Sequence, residues 1–294
     1  MCGCGGTKSD NPLFNDFSAP FGIAPFSEIT IENYREGLLK GMEEQKAEIE
    51  AIVANTQAPT FENTIEALDK SGELLSKVRG TFSPLSSSNS TEETRALEKE
   101  LSPLFTSHSD DMYMNEKLFA KVKSVYDSQE GLNLNAEQKK VLENIYKRFV
   151  KSGAELNAEQ KAKLRELNKE ISMLQLTFTQ NLLHETNNTF VTVDKVEELA
   201  GLPQNNIDAA AKMAEKNGQS GKYMFNMQRP SCDPVLQYCE NRELRRKVYE
   251  AYYNRGNQNN DYDNKAICAK IVALRLEKAK LMGFNNYAEL ALDD

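Results

Sequence analysis

The chain is 294 residues long, 39% hydrophobic and 27% charged, which is enough length and apolar content to bury a sizeable core. A formal net charge of −8 argues against a nucleic-acid surface, which needs a basic stripe, and no apolar run is long enough to cross a bilayer. Only two histidines occur, His108 and His184, so imidazoles for metal or acid–base chemistry are scarce.

The first residues, Met-Cys-Gly-Cys-Gly-Gly, resemble the start of a mature bacterial lipoprotein, but no hydrophobic signal precedes Cys2 and Cys4. Residues 1–10 therefore read as a flexible tail. Two locations stay open: the cytoplasm for the chain as written, and the periplasmic cell envelope if a signal was removed ahead of those cysteines. Residues 11–27, rich in proline and phenylalanine, read as extended. A helix is expected from Thr30, with Tyr34, Leu38, Gln45, Ile49 and Ile52 at 3-4 spacing. Pro59-Thr60 opens a second helix with Phe61, Ile65, Leu68, Leu75 and Val78 as its stripe. Pro84 to Ser90 reads as a serine-rich loop, and Ser90-Thr91-Glu92-Glu93 as a capping box for a third helix. That helix points Leu97, Leu101, Leu104 and Phe105 inward, with His108 on the same stripe as a packed or hydrogen-bonded histidine, and Pro103 is expected to bend or break it.

The string Leu-Asn-Ala-Glu-Gln-Lys occurs twice, at Leu134 and at Leu156. Both copies read as helix starts, with Asn135 and Asn157 as N-caps and Gln138 and Gln160 reaching back. The first helix carries Leu142, Ile145, Phe149 and Val150. The second carries Leu164, Leu167, Ile171, Leu174 and Phe178, and the two are expected as an antiparallel hairpin joined near Gly153. Helical spacing stops near Asn187. Phe190 to Val193 and Lys222 to Gln228 suit short strands, with a helix from Pro203 to Lys216 between them. Asp233-Pro234 is expected to cap a further helix. Others follow at about Asn241 to Arg255, Tyr262 to Met282 and Phe284 to Leu292. The fold class is therefore mainly α: a multi-helical lobe with antiparallel helical hairpins and a small two-stranded β element near residues 189–228.

Candidate chemistry is thin. His184-Glu185 begins like the zinc motif H-E-x-x-H, but Asn188 stands where the second histidine is needed. Five cysteines are an odd number, which argues against a complete disulfide framework, and Cys232, Cys239 and Cys268 read as small buried hydrophobes. The 44 acidic residues fall in mixed-charge patterns typical of solvated helix faces, and Ser86-Ser87-Ser88 lacks a histidine base.

Five blocks carry a family resemblance. Ala58 to Phe82 (APTFENTIEALDKSGELLSKVRGTF) resembles the N-terminal region of the thimet-oligopeptidase (M3) family of zinc metallopeptidases, especially bacterial peptidyl-dipeptidase and oligopeptidase A. Ser107 to Val122, Phe178 to Leu183 (FTQNLL), Tyr238 to Gly256 and Asp261 to Asp294 continue it in order. The resemblance implies a largely helical two-lobed enzyme that cleaves short peptides, releasing dipeptides from their C-termini in the peptidyl-dipeptidase branch. It implies a zinc on an H-E-x-x-H helix in the C-terminal half. None of those positions lies here, so no catalytic or metal residue is carried over, and the substrate-binding residues stay unassigned. Residues 11–294 are thus expected as the helical N-terminal region of such a peptidase, cut before its zinc region and inactive alone. Its expected partners are the C-terminal catalytic lobe and short peptides. Uncovered apolar surface near Tyr262 to Leu292 is expected to promote self-association. The alternative is a non-catalytic helical scaffold that binds peptides or a partner.

Overall fold

The computed structural model describes residues 10–293. Thr30 caps α1 (Ile31–Ala54), its side chain accepting from the Asn33 N–H while the Asn33 side chain accepts from the Thr30 N–H. A reciprocal cap of this kind contributes about 1 kcal/mol. Thr60 opens the next segment in the same way, but the single helix that the spacing predicts does not form. Phe61–Glu66 is a π-helical turn, α2 is only Ala67–Asp69, and Gly72, at φ +77°, separates it from α3 (Glu73–Ser88). The break is held from α1: Glu48 Oε2 accepts from the Gly72 N–H at 2.7 Å, and Gln45 donates to the Ser71 carbonyl at 3.3 Å. The predicted stripe survives the break, since Phe61, Ile65, Leu68, Leu75 and Val78 are all buried.

α3 also runs through Pro84 to Ser88, where the sequence suggests a loop. Burial of Phe82 and Ser86 on the same helix outweighs one lost N–H bond, and the Ser87 hydroxyl donates to the Pro84 carbonyl at 3.1 Å. The cap of α4 (Glu92–Tyr113) sits one residue later than expected. Thr91 and the buried Thr94 exchange the bonds, whereas Glu93 points to solvent. α4 continues through Pro103 without interruption. Leu97 and Leu101 are buried, but Leu104 is 43% exposed because it lies one residue off the Leu97–Leu101–Phe105 row.

α5 (Glu116–Asp127), α6 (Ala136–Lys151) and α7 (Ala158–Asn188) follow. The two Asn/Gln caps form as read, at 2.8–3.0 Å around Asn135 and 2.9–3.1 Å around Asn157. Gly153 makes the turn between α6 and α7 at φ +90°, where a Cβ would fall 2.6 Å from the Leu164 side chain. α6 packs on α5 and on the π-helical turn, with Tyr126 stacked on Tyr146 at 3.9 Å.

The described residues form two compact units, one holding those up to Met173 and from Arg275 onward, the other Leu174–Leu274. The first has two apolar clusters, one around Tyr34, Leu38, Val78 and Leu97, the other around Ile65, Leu118, Leu142 and Phe149. Gly37 and Gly41 let α1 lie against α3. A Cβ at Gly41 would stand 2.7 Å from the Leu75 Cα.

In the second unit β1 (Phe190–Val193) pairs antiparallel with β2 (Tyr223–Asn226), Phe190 opposite Asn226. This is the only sheet among the described residues, so the architecture is mainly α. α8 (Gln204–Lys216) lies between the strands in sequence, as predicted, and Gly218 follows it at φ +72°. α9 (Arg229–Tyr238) starts a turn before Asp233, with Gln228 at the cap and Pro230 in the first turn, so Pro234 lies inside it. α10 (Arg242–Tyr253) is capped by Asn241. α11 (Lys265–Leu281) begins three residues later than the spacing suggests, because Asp263 and Asn264 are engaged in the preceding loop. α12 (Tyr287–Leu292) is capped by Asn286.

Cys232 and Cys239 are buried as expected. Cys268 is exposed, one helical turn into α11 on its outer face. Residues 1–9 of the predicted tail, with Cys2 and Cys4, lie outside the described residues. Among the described residues no helix is long and apolar enough to cross a membrane.

Candidate functional site

The His184-Glu185 pair sits on the last turns of α7, within the second unit. Glu185 is 3% exposed, and both its oxygens are taken. Oε2 accepts from the Gly256 N–H, and Oε1 from the Asn260 side-chain amide at 2.7 Å. Thr186 continues the clasp: its hydroxyl accepts from Arg255 at 2.7 Å and donates to the Leu182 carbonyl at 2.7 Å, and its own carbonyl accepts from the Met227 N–H at 3.1 Å. His184 lies flat on Tyr262, ring centroids 3.6 Å apart.

The clasped loop between α10 and α11 has its own supports. Buried Asn264 donates to the Phe178 carbonyl at 3.0 Å and accepts from Asn181 at 3.0 Å. Asp263 accepts from Lys265 Nζ at 2.6 Å, from the Lys265 N–H at 2.9 Å and from the Asn259 N–H at 2.7 Å. The Lys265 ammonium, with those two backbone donors, pushes the Asp263 carboxyl down to about 2. His184-Glu185 therefore holds a loop in place.

In the first unit, α1, α3, α4 and α6 border an open groove of about 620 Å³. α4 lays Phe105, His108, Met112 and Tyr113 along it, spaced as one helix face. The Arg79 guanidinium lies over the Phe105 ring at 4.8 Å, and Arg148 over Tyr113 at 5.0 Å. His108 Nε2–H donates to Gln45 Oε1 at 2.7 Å. Burial pushes the His108 imidazole below its ordinary value; Asp111 opposes this, and Arg79 and Lys46 add to it. The ring is therefore neutral near pH 7. Among the described residues no carboxylate lines the groove, and neither arginine has a carboxylate partner. His108 thus fills the packed or hydrogen-bonded role that its place in the sequence suggests, whereas nothing in the sequence marks either arginine. Their ring partners lie on another helix, so no local pattern marks them.

A buried polar chain also crosses this unit. Asn168 donates to Asp110 Oδ1 at 2.8 Å and accepts from Lys278 Nζ at 2.7 Å, tying α4, α7 and α11. Burial raises the Asp110 pKa, opposed by the Asn168 bond and by Arg165 and Lys278. Burial likewise lowers that of Lys278, opposed by Asp110. Every member is partnered within the chain, so the arrangement is structural.

The zinc implied by the resemblance does not fit the residues present. Among the described residues no three His, Cys, Asp or Glu side chains are grouped to hold a metal. His108 is bonded to Gln45, His184 is stacked on Tyr262, and Glu185 has both oxygens occupied.

Comparison with known proteins places this geometry. Residues 36–161 match the family described as the neurolysin/thimet oligopeptidase N-terminal domain, and residues 235–294 match peptidase family M3. Dipeptidyl carboxypeptidase of Escherichia coli (strain K12) is 34% identical over 97% of this chain. Oligopeptidase A of Haemophilus influenzae is 32% identical over 96%, and an organellar oligopeptidase A of Arabidopsis thaliana 30% over 97%. The chain spans only 42%, 41% and 36% of those relatives' own lengths, in their N-terminal part. The two family matches cover more than half of the chain between them, and the alignments run through nearly all of it: the chain belongs to peptidase family M3.

Proposed function

We propose that this chain is the N-terminal, non-catalytic helical part of a zinc-dependent oligopeptidase of the peptidyl-dipeptidase type. The observation that carries the reading is the alignment of 97% of this chain onto 42% of dipeptidyl carboxypeptidase. The zinc and the hydrolytic groups then belong to sequence outside this chain, in keeping with a clasped Glu185 and two histidines that each have another occupation. In this reading the chain supplies helical wall that confines a short peptide, and the chemistry is done elsewhere.

Val272 (68% exposed) and Leu276 (39%) stand one turn apart on α11, and Leu292 (77%) ends α12. These apolar side chains are the surface that the rest of such an enzyme would cover. Produced alone, the chain should self-associate, and Val272→Ser with Leu276→Ser should reduce this in light scattering; a strictly monomeric parent chain would count against the assignment.

The function itself is tested by incubating the purified chain with a short peptide and following the products by mass spectrometry. No dipeptide should be released above the buffer control. Chelator-sensitive release of C-terminal dipeptides by this chain alone would overturn the reading.

A further inference from the structure

The groove of the first unit has features that packing alone does not explain. Arg79 and Arg148 come from different helices, are both exposed, and each holds its guanidinium over an aromatic ring of α4, 4.8 Å from the Phe105 centroid and 5.0 Å from the Tyr113 centroid. A guanidinium held over a ring loses less freedom when its N–H donors engage a planar carboxylate, the anion that its fork matches. In a chain of net charge −8, a groove with two such groups and, among the described residues, no acidic lining residue is a local reversal of sign.

The spacing narrows the ligand. Phe105 and Tyr113 are eight residues apart on α4, which places the two stacks ~12 Å apart along its axis at the usual rise per residue. That is too far for one small anion to engage both. Roughly three to four residues of extended chain cover the distance. Between the two ends lie apolar side chains, Leu75 and Met112, and a neutral His108 whose Nε2–H is bonded to Gln45. Its Nδ1 remains an acceptor, which suits a peptide N–H and not a further negative charge. The volume, about 620 Å³, is that of a small-ligand cleft.

We propose that this groove binds a short extended peptide bearing two carboxylates about three to four residues apart, one held by Arg79 and the other by Arg148. The site stands apart from hydrolysis: it requires only this chain, and its success or failure leaves the peptidase reading untouched.

The test is calorimetric titration of the 294-residue chain with N-acetylated, C-amidated Glu-Ala-Ala-Glu, beside the Gln-Ala-Ala-Gln counterpart and inorganic phosphate. The glutamate peptide should bind, and the glutamine peptide at least tenfold more weakly. Arg79→Gln and Arg148→Gln should each weaken binding at least tenfold while leaving the helical circular dichroism unchanged, since both side chains are exposed. Added salt should weaken binding. The proposal is overturned if the glutamate peptide does not bind, if the neutral peptide binds as well, or if either folded variant binds like the parent. Phosphate displacing the peptide at equal concentration would also overturn it, because a single-anion site would then suffice.

Discussion

Glu185 is the residue whose sequence context suggests catalysis and whose surroundings assign it to structure. A buried carboxylate is costly unless its oxygens find donors, and here Gly256 and Asn260 provide them. Truncating it orphans both donors in a buried site. Glu185→Ala should lose about 2–3 kcal/mol in urea unfolding, with Glu185→Gln losing less because one acceptor oxygen remains. A loss within experimental error for Glu185→Ala would contradict the clasp. Asp263 supports the same loop from its surface. Its folded pKa of about 2 lies below the usual unfolded value of ~3.9, so its contribution is fully present above that value and is lost as pH falls through about 2. The urea midpoints of the parent and Asp263→Asn should therefore differ most above about pH 4 and converge below about pH 2. An unchanged gap at both ends would sink this assignment.

At the scale of elements, the approach of α1 to α3 turns on Gly41. An added methyl would meet Leu75 backbone at 2.7–2.8 Å, while at Gly80, on an open face of α3, it would meet nothing within 4 Å. Alanine favours helix by about 1 kcal/mol over glycine, and overpacking costs about 1–3 kcal/mol. Gly80→Ala should therefore raise the thermal midpoint and Gly41→Ala lower it; the same sign for both would refute the close contact. What was legible in the sequence follows the same division. The caps at Asn135 and Asn157 are exchanges within three residues, and they formed as read. Pro84 and Asp233 misled, because a local rule about proline was outweighed by burial of neighbours on the same helix. Leu104 misled by a single residue of phase. The clasp joins residues 71 and 75 positions apart, and the groove's arginines are identified only by rings on another helix. Neither has a local pattern to be read.

For the whole molecule, the scarcity of histidine and the family membership are reconciled by division of labour. The chain aligns over nearly all its length with peptidases but spans under half of theirs. Its own histidines are each engaged in the fold, one with Gln45 and one with Tyr262. In the proposed reading the metal chemistry belongs to sequence outside this chain. The direct measurement is equilibrium dialysis of the purified chain against zinc, followed by metal analysis. No stoichiometric zinc is expected, and no change on substituting His184 or Glu185 in variants that fold. One tightly held zinc per chain, lost with His184→Ala, would contradict it.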